Sequence, residues 1–98
     1  MGTTVVLLEV QVKPECVQEV KDYLKEALPD TRAYDGCQSI DIYGNLDESN
    51  NLVFYERWDS REHYQRYLNW RTERGDFENL SSKLAGPASI RYYDRIDV

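Results

Sequence analysis

The chain has 98 residues, of which 18 are Asp or Glu and 12 are Lys or Arg, so its formal net charge is −6 at pH 7. This length predicts a single domain, residues 1–98, with a modest core. The acidic balance argues against nucleic acid, because phosphate binding requires clustered cations, and against anionic membrane surfaces. Eight Tyr, two Trp and two Phe are many for so small a core. They fill it densely, line a cavity or form an interface with a second copy.

The sequence lacks the patterns that direct a chain into or across a membrane. No apolar run approaches ~18 residues, and the N-terminus lacks a basic region followed by an apolar run and a cleavage site. We therefore expect a cytoplasmic protein in which Cys16 and Cys37 are free thiols, because the cytosol keeps thiols reduced. Two cysteines and a single His do not suffice for a zinc site, so no structural metal is expected.

The first third of the chain predicts a strand followed by a helix. Residues 3–12 alternate so that their even-numbered apolar side chains share one face. The helical spacing of apolar residues predicts a helix over residues 14–28. Pro14 marks its start, because proline suits the first helical position. Pro29 is expected to end or kink this helix. A further helical turn over residues 30–34 is the alternative to an end at Pro29.

Two strands joined by a polar loop follow the turn signal Asp35-Gly36. Residues 38–44 form the first, with Ile40 and Ile42 inward, and residues 52–58 form the second. The loop between them is short, so the two strands pair antiparallel. The even-numbered residues of the second strand alternate onto one face: Leu52, Phe54, Glu56 and Trp58.

A second helix is predicted over residues 60–70, because Asp59 or Ser60 offers a capping oxygen to its first amides. Side chains at helical spacing form two neighbouring lines on it. One line consists of His63, Tyr67 and Trp70, and the other of Tyr64, Leu68 and Arg71.

A third helical segment and a last strand complete the chain. Gly75 is expected to break the second helix, and Phe77, Leu80 and Leu84 continue an apolar stripe that Gly86-Pro87 stops. The strand spans residues 88–96. Ile90, Tyr92 and Ile96 are expected to share one of its faces.

The element order β-α-β-β-α-(α)-β is that of a split βαβ unit. It predicts an α+β ferredoxin-like sandwich, a four-stranded antiparallel sheet with its helices on one face. The far face, with Val, Tyr and Ile among its residues, would be uncovered in a monomer. An exposed apolar patch of that size usually marks an interface, so we expect a homodimer whose two sheets face each other.

The whole chain resembles the antibiotic biosynthesis monooxygenase family, small dimeric α+β barrel proteins that include quinol monooxygenases. The resemblance rests on four segments in the family's order: VKPE (12–15), TRAYDGCQSIDIY (31–43), ERWDSREHY (56–64) and LAGPASI (84–90). The Gly-Cys turn before the second strand and the Glu-x-Trp that ends the third are its more specific marks. Jointly, these features imply the family's fold.

The function that the resemblance implies is oxygenation of a small aromatic, hydroquinone-like substrate by O₂, with no metal, flavin or other cofactor. A deprotonated substrate itself hands an electron to O₂, and the protein holds the anion in a dry pocket. Two alternatives on the same fold are a non-catalytic small-molecule-binding dimeric module and an acid–base isomerase. Other family members degrade haem using an Asn on strand one, and residues 3–12 contain no Asn.

Trp58, Tyr67 and His63 are the candidate catalytic residues that the resemblance implies. Trp58 matches the family's strand-end tryptophan. The family often has a His nine residues after that Trp, where this chain has Tyr67. His63 lies one helical turn earlier and is the candidate replacement, because imidazole titrates near neutral pH. Each has a structural alternative: Trp58 as core filler, Tyr67 packed on the sheet, and His63 on the surface.

Glu56 shares the face of Trp58, so it is a carboxylate near the core that needs a partner. Arg91 or Arg95, from the last strand or a neighbouring chain, is the expected partner. A structural ion pair is the interpretation that we prefer to general-base work.

Overall fold

The computed structural model describes residues 2–98. Its elements in chain order are β1 (Thr4–Gln11), a 3₁₀ turn (Pro14–Cys16), α1 (Val17–Ala33), β2 (Cys37–Gly44), β3 (Asn51–Trp58), α2 (Arg61–Glu73), α3 (Asp76–Ser81) and β4 (Ser89–Asp94). The strands form one sheet in the order β2-β3-β1-β4, and all neighbours are antiparallel. This confirms the predicted ferredoxin-like α+β fold and the antiparallel pairing of β2 with β3.

One face of the sheet is buried beneath the helices. The predicted alternation of β3 is confirmed, because its inward side chains are at most 4% exposed: Leu52, Phe54, Glu56 and Trp58. They pack with the apolar face of β1 and with two groups of helical side chains. These groups are Val20, Leu24 and Leu28 of α1, and Tyr64 of α2. The buried face of the sheet therefore forms one wall of any site that lies between the sheet and the helices.

The other face of the sheet points away from all three helices. Its apolar part is Val5, Leu7, Val53 and Tyr55, which are half-buried, with Tyr93 at the β4 edge 43% exposed. The Ile expected on this face is not there, because the isoleucines of the strands, Ile40, Ile42 and Ile90, pack against the helix-covered core. In a single copy this face is open to solvent.

The first helix differs from the prediction at its start, and its end includes the further turn considered for residues 30–34. Residues 14–16 form a 3₁₀ turn, and α1 then continues to Ala33 with Pro29 inside it. Proline removes the hydrogen bond to the carbonyl four residues back, which here belongs to Lys25. Lys25 and Pro29 are both exposed, so water can satisfy that carbonyl and the helix need not end.

The segment after Gly75 also differs from the prediction. Gly75 does break the helix, with φ at +83°. The third helix, however, ends at Ser81 rather than at Gly86-Pro87. Leu84 lies in a β-bridge with Val12, and the Ala85 amide donates to the Gln11 carbonyl at 2.7 Å. These backbone bonds to the end of β1 hold residues 83–85 out of the helix.

The last strand is shorter than predicted. β4 ends at Asp94, which pairs with Thr4, the first residue of β1. Beyond that point β1 offers no further strand residue for pairing. Ile96 therefore lies outside the strand and is 73% exposed, so it does not share a strand face with Ile90 and Tyr92 as predicted.

Candidate active site

The end of β3 places an acid and an indole side by side in the interior. Glu56 and Trp58 are two residues apart on a strand, so their side chains lie on the same face. Trp58 is fully buried and Glu56 is 2% exposed. The indole Nε1 of Trp58 donates a hydrogen bond of 3.0 Å to Oε1 of Glu56. A buried tryptophan N–H requires an acceptor, and here the carboxylate supplies it.

The predicted ion pair of Glu56 is wrong within this chain. Among residues 2–98, no salt bridge includes Glu56. Arg91 and Arg95 are both exposed, and Arg91 lies on the opposite face of the sheet. With no cation to balance it, burial raises the pKa of Glu56 to about 7, although the hydrogen bond from Trp58 pulls the pKa down.

Aromatic rings from α2, and one from the residue that follows α1, pack against Trp58. Its ring centroid lies 5.0 Å from Tyr67, 5.6 Å from Tyr64 and 6.4 Å from Tyr34. The contacts with Tyr64 and Tyr34 are edge-to-face, an arrangement that the ring quadrupoles favour. Because these rings come from two separate segments of the chain, they hold the indole, and with it Glu56, in a fixed orientation.

A hydrogen-bonded network joins α2 to α1 and α3 on the other side of Tyr67. The Tyr67 hydroxyl lies 2.7 Å from Oγ1 of Thr31 and accepts from Nε of Arg71 at 3.0 Å. Arg71 also donates to the Ala27 carbonyl and to Asp76, both at 2.9 Å. Arg71 is only 7% exposed, so the network surrounds a buried cation.

The ionisable groups of this network take pKa values that fit their partners. Burial raises the pKa of Tyr67, and the hydrogen bonds from Thr31 and Arg71 oppose this only in part. Partial burial favours a higher pKa for Asp76, but the hydrogen bonds from Arg71 and Arg74 outweigh it and leave the pKa below its ordinary value. The network therefore holds a neutral phenol between a guanidinium and a hydroxyl.

A cavity of about 60 Å³ lies between the sheet, α1, α2 and α3. Most of its wall is apolar, with Leu8 and Phe54 from the sheet and Leu24 and Leu28 from α1 among the contributors. The polar wall consists of Tyr23, Thr31, Glu56, Tyr64, Tyr67, Arg71 and Asp76. The volume holds about two water molecules, whereas a cavity that binds benzene measures about 150 Å³. An aromatic ring therefore needs the wall to move.

Comparison with known proteins identifies the family. The model of the family described as "Antibiotic biosynthesis monooxygenase" matches residues 3–72 of the chain. The Mycobacterium tuberculosis protein called "Putative monooxygenase Rv0793" is 34% identical over 77 residues, which cover 72% of this chain and 75% of that protein. The chain belongs to the antibiotic biosynthesis monooxygenase family.

Solved structures agree with this membership of the family. A conserved protein of Methanosarcina mazei is similar with a TM-score of 0.86 and 27% identity, covering 95% of this chain and 92% of its own. The solved structure of Rv0793 is similar with a TM-score of 0.77 and 25% identity, covering 98% of this chain and 97% of its own. The fold therefore matches over nearly the full length of both relatives.

Of the three residues that the family resemblance singled out, one lines the cavity, one packs behind it and one lies elsewhere. Tyr67 is part of the cavity wall, and Trp58 is in contact with Tyr67 and Glu56 without lining the cavity itself. His63 is not among the lining residues. The structure therefore brings Trp58 and Tyr67 together and leaves His63 apart from them.

His63 lies at the start of α2 against the turn that precedes β2. Its Nδ1 is 2.6 Å from Oγ of Ser60, and Ser60 caps the helix by accepting the His63 amide. The ring packs directly over Gly36, where a Cβ would collide with it. Asp35, 3.9 Å from Nε2, has a side chain that is 81% exposed. The acid–base isomerase alternative required His63 to face the cavity, and the imidazole faces this turn instead.

Sequence reasoning did not single out Thr31 or Arg71, and it gave Glu56 the wrong partner. The sequence spacing did contain a signal for Arg71 and for the true partner of Glu56. Tyr67 and Arg71 are four residues apart on α2 and hence on one helix face, and Glu56 and Trp58 are two apart on one strand face. Thr31 had no such signal, because its place depends on how α1 packs on α2.

The remaining reactive groups do not form a second site. Both cysteines are free and half-buried. Burial, assisted by the charge of Glu56, raises the pKa of Cys37 to about 11, so this thiol is protonated near neutral pH. In the part of the chain that the structure describes, no three His, Cys, Asp or Glu side chains are grouped to hold a metal ion. No helix of residues 2–98 is both long and apolar enough to cross a membrane.

Proposed function

We propose that the protein is a cofactor-independent monooxygenase that oxidises a small aromatic, hydroquinone-like substrate with O₂. One oxygen atom enters the ring and the other leaves as water, so that a dihydroxybenzene and O₂ give a hydroxyquinone and water. The substrate supplies all four electrons, and no external reductant is required. Family membership supports the reaction class.

The observation that carries this proposal is the pattern of polar groups around the cavity. The wall is mainly apolar, which suits a planar ring, and its polar groups include Glu56 from the sheet and the Tyr67 hydroxyl from α2. The two hydroxyls of a hydroquinone ring find hydrogen-bond partners among the polar groups of such a cavity. A site shielded from water also protects a phenolate and a radical pair from side reactions.

The size of the cavity restricts the substrate. At about 60 Å³ it must widen even for one ring, so we expect monocyclic hydroquinones to react in preference to bicyclic ones. One side chain of the wall whose rotation would widen the cavity is the half-buried Phe77 of the short α3.

An oxygen-electrode assay over mono- and bicyclic hydroquinones, with protein dialysed against a chelator, tests the reaction. We expect O₂ uptake with formation of a quinone, and one heavy oxygen atom in the product when ¹⁸O₂ is supplied. Tyr67→Phe removes the hydroxyl at the cavity and should lower kcat/KM. Tyr43→Phe, compared at a concentration where both variants have the same dimer content, is the matched control, because Tyr43 is 55% exposed and lies on the face of the sheet opposite to the cavity.

Absence of O₂ uptake on every hydroquinone contradicts the proposal. Absence of uptake together with a hydroquinone-induced rise in Tm would instead support the binding-module alternative. Equal losses in Tyr67→Phe and Tyr43→Phe would refute the assignment of the cavity as the reaction site.

We also propose that the active form is a homodimer in which the far faces of two sheets pack together. Val5, Leu7, Val53 and Tyr55 give this face an apolar centre, and burial of such a patch stabilises association. Sedimentation should give twice the chain mass of 11.6 kDa. Leu7→Asp should give monomers, whereas Leu46→Asp, at a fully exposed loop position, should not. A monomeric wild-type chain at micromolar concentration contradicts this arrangement.

A further inference from the structure

Glu56 has one carboxylate oxygen that no protein group uses. Oε1 accepts the indole N–H of Trp58, while Oε2 has no hydrogen-bond partner. Every fully buried polar side-chain atom of residues 2–98 does have a partner, so Oε2 is not sealed off. Glu56 is 2% exposed and lines the cavity. The small accessible area of this residue therefore opens onto the cavity, and a group bound there can reach Oε2.

The surroundings of Glu56 leave it free to exchange a proton. The ionisable groups that face it, or that share its cavity, are Tyr23, Cys37, Tyr64, Tyr67, Arg71 and Asp76. Arg71 is the only cation among them, and it is already paired with Asp76 at 2.9 Å. The tyrosines and Cys37 have raised pKa values and are neutral near pH 7. No group in this set holds Glu56 permanently ionised.

We propose that Glu56 is the catalytic base of the monooxygenase, an inference that rests on the proposed function. A substrate hydroxyl hydrogen-bonds to Oε2, its O–H bond breaks, and the proton forms a new O–H bond on Oε2. The electron pair of the broken bond stays on the substrate oxygen as a phenolate. Glu56 becomes a neutral carboxylic acid, and the phenolate is the species that gives an electron to O₂. The proton can later be returned to the oxygen that leaves as water.

Two features of the site suit this step. Burial places the pKa of Glu56 at about 7, and a base is most effective when its pKa lies near the working pH. Proton transfer also converts a buried carboxylate into a neutral acid as the phenolate forms, so the cavity never holds two unpaired anions. Trp58 is then a positioning residue, because its N–H fixes Oε1 and turns Oε2 toward the cavity.

The decisive measurement compares wild type with Glu56→Gln on two hydroquinones of different acidity. Gln keeps the volume and an acceptor for the Trp58 indole but takes up no proton. For a weakly acidic hydroquinone, we expect kcat/KM to fall by about 10² to 10⁴-fold, the range for loss of a general base. For an electron-poor hydroquinone that is already ionised at the assay pH, the loss should nearly disappear. Glu26→Gln, on the exposed side of α1, is the matched control.

The pH profile separates a catalytic role from a structural one. In wild type, kcat/KM should rise with pH through about 7, as the carboxylate forms, and Glu56→Gln should lack this rise. Trp58→Phe removes the N–H that lowers the pKa of Glu56, so the rise should move to higher pH. An infrared titration of the carboxyl band, absent in Glu56→Gln, reports the same ionisation without turnover.

The outcomes distinguish this inference from the function on which it rests. No O₂ uptake by wild type refutes both. If wild type is active, an unchanged rate in Glu56→Gln refutes the base alone, and so does an equal loss on both hydroquinones. An unmoved profile in Trp58→Phe refutes the positioning role of Trp58.

Discussion

The buried acid makes the folding stability depend on pH in a way that one substitution removes. In the folded chain the pKa of Glu56 is about 7, against an ordinary value of 4.5. An acid whose folded-state pKa is raised stabilises the fold in its protonated form. That stability is fully present below pH 4.5 and is lost as the pH rises through about 7. Wild type should therefore lose stability across this window, and Glu56→Gln should not lose this contribution.

The magnitude follows from the difference between the two pKa values, 7 − 4.5, or about 2.5. At 1.36 kcal/mol for each pKa unit, complete ionisation costs about 3 kcal/mol. Between pH 5 and pH 8 the linkage relation gives about 2–3 kcal/mol, because part of the change falls below pH 5. Glu56 is 2% exposed, so solvent screening does not reduce this figure.

Urea unfolding followed by circular dichroism at pH 5 and pH 8 measures the effect. The free energy of unfolding of Glu56→Gln minus that of wild type should increase by about 2–3 kcal/mol from pH 5 to pH 8. Glu26→Gln, at an exposed position, should follow wild type at both pH values. All samples need one protein concentration, since association adds to apparent stability. A difference between Glu56→Gln and wild type that is the same at both pH values would refute the reasoning.

Two further predictions concern the frame of the site. Gly36→Ala should destabilise the fold more than Gly75→Ala: both glycines have positive φ, but only Gly36 lies under the His63 ring. Gly75→Ala should cost about 1–2 kcal/mol. Adding His63→Ala should recover part of the Gly36→Ala loss in urea unfolding, and no recovery would contradict the contact. Arg71→Met should cost about 3 kcal/mol, because it breaks a buried ion pair. Arg74→Met, with its side chain 53% exposed, should cost under about 1 kcal/mol, and equal losses would contradict this account.

The fold could be predicted where the local sequence pattern and the tertiary packing favour the same structure. The alternation in β3 predicted which side chains are buried, and the cap at Ser60 and the break at Gly75 both lie where the sequence placed them. The prediction failed at Leu84 and left the end of α1 open at Pro29. Pro29 is tolerated inside α1 because it lies on the solvent side, and Leu84 is held by backbone bonds to β1 that a local pattern does not contain.

The site was less predictable, because it depends on contacts between elements. Tyr67 was singled out by the family resemblance, but the contact of Thr31 with Tyr67 requires the packing angle of α1 on α2. The partner of Glu56 was predicted wrongly because an ion pair was sought across the sheet. The indole N–H two residues away on the same strand is closer and requires no second element.

The cavity lies between the sheet and the helices, on the side of the sheet opposite to the proposed dimer contact. Two sheets would therefore separate the reaction chambers of paired copies, each with its own acid, indole and phenol. Such copies should turn over independently, and a mixed pair of one wild-type and one Glu56→Gln chain should retain half of the normal specific activity. Association would then make the two packed sheets more rigid, and it would not supply any part of either cavity.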